Sequence, residues 1–425
     1  MMPTPGSAPE PVSVPEPVPV PTPAAAVTAT TASTDAALAM PARLPGRGAF
    51  LIAASVAALT VFAWAVLQAE SQTQVLSLFA VAVIAAFAMP RLGVLAPLRI
   101  AVTAAPRAVG VGCVVGVLAL TIAFHNTHFA LLLLATVMLY AVVCLGLNIQ
   151  LGYCGIVNFA GAAFFGVGSY TAAVLTTQSA LPHLLIVVIG GLMAAVIGSL
   201  LILPVLRTRG HYAALVTISF GILFKNFLEV NDALGGPQGL KIPALKILGW
   251  SFGDNVVIGA LELSFYTNYV LLTLLLCVVA FVLVRRLERS WIGLSMDMVR
   301  TDEVAAAVFG VQIARWKIIA FTLGNFLVGL AGALYGMMSG YVAPNNFTFA
   351  DSLILVSILI LGGIGNPWGI LPAAAIVLIL PEKLQFIQEY RFFLYAILVI
   401  VILLFRPEGL LPRAVRRYFP GSAKP

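Results

Sequence analysis

The chain contains very little charge. Only 9% of its 425 residues are Asp, Glu, Lys or Arg, whereas 61% are hydrophobic, and a typical soluble protein has about 25% charged residues. This shortage excludes a water-soluble globular enzyme and indicates a polytopic membrane protein. The net charge of +7 is therefore interpreted as a consequence of membrane topology, since basic residues collect in cytoplasmic loops, and no nucleic-acid partner is expected.

Further absences limit the possible mechanisms. No G-x-x-x-x-G-K-[ST] phosphate loop occurs, so any ATP that drives this chain must be hydrolysed by a partner. None of the 16 acidic residues lies within an apolar run, which argues against a proton relay, because such relays use intramembrane carboxylates. A sodium site made of backbone carbonyls at a broken helix remains open. We assign no metal site to the four cysteines or to the H-x-x-H of His125 and His128, and no cofactor is expected.

The apolar runs predict an all-α polytopic transmembrane bundle. Most of the runs approach the roughly 20 residues that a helix needs to cross a bilayer. Before them, residues 1–47 hold 11 of the 26 prolines and show no apolar period, which predicts a disordered cytoplasmic tail. The runs cover 49–67, 75–90, 108–124, 129–147, 152–176, 184–206, 212–228, 269–284, 318–338 and 392–405.

A further apolar stretch, 352–381, is interrupted near its middle by glycines and a proline. The two pieces are too short to cross comfortably at about 1.5 Å per residue, so we predict two half-helices or a re-entrant pair. The bundle then has about 10 crossings, or about 12 if both pieces cross. The predicted division is a tail over 1–47, accessory transmembrane helices over 48–128, a core over 129–412 and a basic cytoplasmic tail over 413–425.

The distribution of basic residues predicts the orientation. If the N-terminus is cytoplasmic, the inner segments hold 18 of the 23 Lys and Arg residues, as expected for cytoplasmic loops. Both termini are then predicted to be cytoplasmic. Two longer segments lie between helices: an outer loop over 229–268, rich in glycine and with mixed charges, and an inner loop over 285–317, which is the most basic loop of the chain.

The inner loop contains a short predicted helix. Thr301 and Asp302 are candidate N-caps, and Gly310 is a helix stop. One interpretation is that the helix presents a compact polar surface that fits a groove on a cytoplasmic partner, formed by Asp302, Glu303, Ala305, Ala306 and Ala307 before Gly310. The alternative is an interfacial helix whose basic flanks contact anionic membrane lipid.

Two glycine-rich segments are candidates for the translocation path. Helices broken inside a membrane are tolerated where protein or a watery cavity covers the freed backbone groups, and such groups meet polar solutes in transporters. The structural alternative is that the small residues only let helices approach closely. The candidate path residues are Gly152, Gly155, Asn158 and Gly161 in the first segment, and Gly362, Gly363, Gly365, Asn366 and Trp368 in the second.

Six blocks of the sequence have a familiar pattern: LGLNIQLGYCGIVNFAGAAFFGVGSYTAAVL, LPVLRTRGHYAALVTISFG, GGPQGL, RTDEVAAAVFGVQIARWKIIAFTLGNFLVGLAGALYG, LGGIGNPWGILPAAAIVLILPE and RPEGLLP. These blocks resemble the LivM-type permeases of branched-chain amino-acid ABC importers. The resemblance covers roughly 131–412, about two thirds of the chain. The proline-rich tail does not share it, and the helices before Phe129 resemble only the longer family members.

The resemblance implies an all-helical, non-enzymatic subunit with several partners. These are a second homologous permease, two cytoplasmic ATPase subunits and a periplasmic solute-binding protein. Permeases of this class dock on the ATPase through a coupling loop, often of the form EAA-x-x-x-G. Ala305, Ala306 and Gly310 match that spacing, whereas the acid, Glu303, lies one position early.

The resemblance therefore implies a permease subunit of an ATP-driven importer for branched-chain amino acids, located in the bacterial inner membrane. Two alternatives remain. A permease for urea or short amides would share the same glycine motifs, and a channel or secondary carrier would work without partners. Dependence on an ATPase distinguishes the last alternative from the other two.

Overall fold

The computed structural model describes residues 46–69, 71–75, 77–78, 81, 105–207, 212–247, 249–258 and 261–383. It also describes positions 390, 393, 397, 400, 404, 409–411 and 413. The predicted tail up to residue 45, most of the predicted helices over 75–90 and 392–405, and the predicted basic tail beyond 413 lie outside the described residues.

The apolar runs of the described residues form helices, which satisfy their own backbone hydrogen bonds as a lipid environment requires. Seven of these stretches are long and apolar enough to cross a membrane, which confirms the predicted all-α polytopic fold. The helices are α1 Gly46–Gln68, α2 Pro106–Ala123, α3 His128–Leu147, α4 Gly161–Gln178, α5 His183–Arg207, α6 Tyr212–Val230, α7 Tyr266–Arg289, α8 Trp291–Thr301, α9 Glu303–Val308, α10 Ile313–Ser339, α11 Phe349–Gly362 and α12 Ile370–Lys383.

Helix α10 lies at the centre of the bundle and packs against α3, α4 and α5. The close approach of α4 and α10 depends on glycine. A Cβ atom added to Gly168 of α4 would lie 2.1 Å from the carbonyl oxygen of Gly329 in α10. Small residues at such positions let helix backbones pack closely where lipid supplies no hydrophobic drive to association.

The segment between α6 and α7 is folded into short antiparallel strands. These are β1 Leu240–Lys241, β2 Lys246–Ile247, β3 Trp250–Ser251, β4 Val256–Ile258 and β5 Leu261–Leu263, and β1 pairs with β6 Tyr341–Val342 after α10. At the end of this segment, Ser264 lies 2.6 Å from Nδ1 of His128, at the start of α3. We call this end of the bundle the His128 end, and the opposite end, which holds α8 and α9, the α9 end.

The interrupted stretch 352–381 forms a helical hairpin, α11–α12. Its second helix packs alongside α3. Near the start of α3, Nζ of Lys383 lies 5.9 Å from the ring centroid of Phe129. Just beyond the end of α3, the Gly365 N–H donates to Asn148. The break therefore lies at the α9 end of the hairpin rather than in the middle of a crossing.

Candidate functional site: two helix breaks and the α9 loop

The first break follows α3 without a cap. The chain continues as a π-helical segment, Asn148–Tyr153, and α4 begins only at Gly161. Gly155 has φ +74°, a left-handed conformation that favours glycine. The predicted apolar run over 152–176 is therefore helical only in part. π-Helical turns of this kind are frequent at functional sites.

Three buried amide side chains connect this break to α10. Nε2 of Gln150 donates to Oδ1 of Asn325 at 3.0 Å and to the Phe321 carbonyl at 3.2 Å. Nδ2 of Asn158 donates to Oε1 of Gln150 at 2.8 Å. All three amides are at most 4% exposed, so these hydrogen bonds offset the cost of burying polar groups. Our sequence reasoning identified Asn158 but missed Gln150 and Asn325.

The second break lies between α11 and α12. Gly363 has φ +105° and Gly365 has φ +84°. The Gly365 N–H donates to Oδ1 of Asn148 at 2.8 Å, and a Cβ atom on Gly152 would lie 2.7 Å from the Gly365 nitrogen. The fold thus brings together two glycine-rich segments that are more than 200 positions apart in the sequence.

The remaining candidate path residues have different surroundings. Asn366 accepts the Trp368 N–H with Oδ1 and donates to the Leu411 carbonyl with Nδ2, both at 3.1 Å. Trp368 packs edge-on against Phe281 of α7, with ring centroids 4.6 Å apart. Gly155 is exposed, and Asn366 and Trp368 are half-buried. The other candidates, Gly152, Asn158, Gly161, Gly362, Gly363 and Gly365, are buried in this conformation.

Two arginines bind the first break from outside the apolar runs. Nη1 of Arg300, near the end of α8, donates to the Gly152 carbonyl at 2.7 Å. Nη1 of Arg413 donates to the same oxygen at 3.3 Å, and its Nη2 forms an ion pair with Asp297 at 2.7 Å. Burial and the nearby charge of Arg413 lower the pKa of Arg300, whereas Asp297 opposes this shift. The guanidinium groups cap the carbonyl end of a helix, where positive charge is favourable.

The C-terminal segment closes the second break. The Leu410 N–H donates to the Leu361 carbonyl at 2.7 Å, and the Leu411 N–H donates to the Gly362 carbonyl at 3.4 Å. These are last-turn carbonyls of α11, which have no partner within their own helix. The segment that carries Arg413 to the first break therefore also satisfies the end of α11.

Helix α9 forms a compact projection after α8, within the inner loop 285–317, which we call the α9 loop. Oδ1 of Asp302 accepts the N–H groups of Val304 and Ala305 at 2.8 and 3.1 Å, so Asp302, rather than Thr301, is the N-cap. The helix ends at Val308, and Gly310 follows with φ +78°. These positions agree with the predicted cap and stop.

The exposed surface of α9 is more apolar than the sequence pattern suggested. Ala306 is only 3% exposed, so it packs within the protein instead of facing a partner. Val304, Val308 and Phe309 are 75%, 81% and 81% exposed. We call these three side chains the α9 tip. Sequence reasoning overlooked them because it followed the acid and alanine pattern rather than helix periodicity. Glu303 forms an ion pair with Lys317 at 2.7 Å.

Comparison with known proteins agrees with this architecture. The family model for the permease component of branched-chain amino acid transport systems matches residues 129–403. The chain belongs to this permease family. It is accordingly a multi-pass integral membrane protein and the transport subunit of an ABC importer rather than an enzyme.

Individual members of the permease family cover much of the chain. LivM of Escherichia coli (strain K12), a high-affinity branched-chain amino acid transport system permease protein, is 33% identical over 305 residues, which cover 68% of this chain and 71% of LivM. A probable LivM permease of Methanocaldococcus jannaschii is 24% identical and covers 64% of this chain and 90% of its own length. LivH of Salmonella typhimurium (strain LT2) is also 24% identical, with coverage of 64% and 91%. No solved structure matches the chain.

The extent of the family match corresponds to structural boundaries. It begins at Phe129, one residue into α3, so α1 and α2 precede the matched region. The match includes both helix breaks, Arg300 and α9. Arg413 lies ten positions beyond its end. The permease family therefore accounts for most of the site, while the second arginine comes from the segment that follows.

Proposed function

We propose that this chain imports branched-chain amino acids across the bacterial inner membrane, as one half of a permease pair driven by two cytoplasmic ATPase subunits. A periplasmic solute-binding protein delivers the cargo to the His128 end. The observation that carries this proposal is the α9 tip: three exposed apolar side chains on a short capped helix, in a chain that has no phosphate loop of its own.

The α9 tip has the properties of a docking site for an ATPase. Exposed apolar side chains cluster at protein interfaces, and large side chains that insert into pockets carry much of the binding free energy. Asp302 fixes the start of the helix, and the ion pair between Glu303 and Lys317 holds it against α10. An ATPase groove that receives the tip would thus contact an ordered element.

The distribution of charge supports a cytoplasmic location for the α9 end. Six of the 23 Lys and Arg residues lie in the segment 285–317 that contains α8 and α9. Basic residues close to transmembrane helices favour the cytoplasmic side. In this orientation, the folded segment between α6 and α7 faces the solute-binding protein on the other side of the membrane.

The two helix breaks are proposed to form the inner gate of the translocation path. In this conformation their residues are packed together, and Asn148 connects them. ATP binding would draw the two ATPases together and move α9, and the breaks would then separate. Broken helices suit this role because their backbone amides and carbonyls can meet a polar solute once they part.

Reconstitution of the complete importer in proteoliposomes tests this function. We expect ATP-dependent uptake of radiolabelled leucine, isoleucine and valine when this chain, its second permease, the ATPases and the solute-binding protein are present. Omitting the ATPases, or replacing the phosphate-loop lysine of the ATPase, should abolish uptake.

Two results would contradict the proposal. Solute movement by this chain alone would indicate a channel or carrier. ATP-driven uptake of urea or short amides, without uptake of leucine, would reject the proposed cargo while retaining the transport mechanism.

A further inference from the structure

The carbonyl of Gly152 lies where the α9 loop meets both helix breaks. The neighbouring backbone donors bond elsewhere: the Gly155 N–H donates to Leu151 and the Ile156 N–H donates to Gln150, at 3.2 and 2.9 Å. Arg300 and Arg413 supply side-chain donors to the Gly152 oxygen instead. The end of the π-helical segment is thus held by two charged groups from distant parts of the chain.

Each arginine also packs on a glycine of a break. A Cβ atom on Gly155 would lie 3.2 Å from Cγ of Arg300, and one on Gly365 would lie 2.6 Å from Cδ of Arg413. Both positions have positive φ. The two side chains therefore contact the backbone at the points where the helices leave regular geometry.

The first arginine is directly connected to α9. Arg300 lies near the end of α8, and only Thr301 and Asp302 separate it from Glu303, the first residue of α9. A displacement of α9 is therefore transmitted to the Arg300 side chain over three residues. Arg413 joins the same cluster through its ion pair with Asp297, which is three positions before Arg300 on α8.

Asp297 offers Arg300 an alternative acceptor. Its Oδ2 binds Arg413, whereas its Oδ1 is buried and has no hydrogen-bond partner among the described residues. Residues three apart on a helix lie on the same face, so the guanidinium of Arg300 can exchange the Gly152 carbonyl for this oxygen. Such an exchange provides the two discrete arrangements that a switching element requires.

We propose that Arg300 and Arg413 are positioning residues that transmit movement of the α9 loop to the two helix breaks through the Gly152 carbonyl. This inference rests on the proposed function, because it assumes an ATPase that moves α9. With the ATPases apart, both arginines hold Gly152 and the breaks stay closed. When α9 moves, Arg300 transfers to Oδ1 of Asp297, the Gly152 carbonyl keeps only its longer hydrogen bond to Arg413, and the breaks separate.

The test measures ATP hydrolysis and leucine uptake in the same proteoliposomes with the complete importer. The variants are Arg300→Gln and Arg413→Gln, which remove the charge. The matched control is Arg315→Gln on the same loop, whose guanidinium lies 5.9 Å from the ring of its neighbour Trp316. Co-purification of the ATPases verifies assembly.

We expect each of the two variants to lower leucine uptake per ATP hydrolysed by about tenfold, within the usual range of coupling free energies between sites. The ATP concentration for half-maximal hydrolysis should not change, because nucleotide binding belongs to the partner. Arg300→Lys, which keeps one charged donor for Gly152, should recover part of the coupling. Arg315→Gln should keep the wild-type ratio.

The inference is overturned if the ratio of uptake to hydrolysis is unchanged in both glutamine variants. A fall of uptake and hydrolysis by the same factor leaves this ratio unchanged and indicates a purely structural role for the arginines. If Arg300→Gln or Arg413→Gln fails to assemble, Arg300→Lys or Arg413→Lys replaces it in the test. A wild-type ratio of uptake to hydrolysis in that lysine variant then overturns the inference. Absence of ATP-driven uptake by the wild-type importer would instead reject the proposed function itself.

Discussion

The backbone N–H of Gly365 donates to Oδ1 of Asn148 across 2.8 Å, and this hydrogen bond joins the two helix breaks. Asn148 is completely buried at the start of the π-helical segment. Gly365 lies in the turn between α11 and α12, with φ +84°. The separation of the breaks that we propose for transport would therefore require loss or exchange of a buried hydrogen bond.

Replacing Asn148 with alanine should destabilise the closed arrangement. The Gly365 N–H would lose its acceptor while remaining buried, at a cost of about 1–3 kcal/mol in the free energy of unfolding. Thermal unfolding of the purified protein in detergent measures the effect. Asn345→Ala is the control, because Asn345 is exposed. Equal unfolding temperatures for the two variants would contradict the assigned role of Asn148.

Replacing Gly168 with alanine should separate α4 from α10. The new Cβ would lie 2.1 Å from the Gly329 carbonyl oxygen, and overpacking of this kind costs about 1–3 kcal/mol. Gly221→Ala in α6 is the matched control, because its Cβ would meet nothing within 4 Å. Thermal unfolding should show a loss of stability only for Gly168→Ala, and a similar loss in the control would argue against the described packing.

Changing the α9 tip should weaken ATPase binding without affecting the fold. Phe309 is 81% exposed, and burying such a side chain at an interface contributes about 1.5–3 kcal/mol, so Phe309→Ser should lower ATPase affinity by at least about tenfold. Titration of the purified ATPase against the permease pair measures this. Val230→Ser provides the comparison, since Val230 is 83% exposed at the His128 end. Unaltered affinity for Phe309→Ser would place the docking site elsewhere.

Removing the cap of α9 should lower the affinity of the permease for the ATPase in a graded way. Asp302→Ala removes the acceptor for the Val304 and Ala305 N–H groups, at a cost of about 1 kcal/mol. Asp302→Ser keeps a capping oxygen and should retain most ATPase affinity. The serine variant separates loss of the cap from loss of negative charge: if both variants bind equally weakly, the charge rather than the cap matters.

A bulky residue at Gly310 should abolish uptake while the protein still reaches the membrane. A Cβ at this position would meet nothing within 4 Å, but φ is +78°, which costs an L-residue about 1–2 kcal/mol. Relief of this strain would move the exit of α9 and displace the tip. Uptake of leucine and the amount of protein in the membrane are compared for Gly310→Leu, and unchanged uptake would count against the coupling role.

Several elements were predictable because they depend on local chemistry. The Asp302 cap and the Gly310 stop follow from side-chain acceptors and backbone freedom within a few residues. The contacts of the arginines were not predictable. In the sequence, Arg300 and Arg413 look like ordinary cytoplasmic charges, and their common acceptor is a backbone carbonyl, which carries no sequence signal. Asn325 had a usable signal, since an amide inside a membrane-length apolar run demands a partner, whereas Gln150 lies between two predicted runs and had none.

The sequence by itself determined the membrane class, the approximate positions of most long helices in the described residues and the absence of an ATP-binding loop, because hydrophobicity, helix capping and the phosphate-loop motif are properties of neighbouring residues. Only the tertiary structure decided that the two glycine breaks meet through Asn148 and Gly365, and that α8 holds one of them through Arg300. These contacts join positions far apart in the chain, and helix packing brings them to the same end of the bundle.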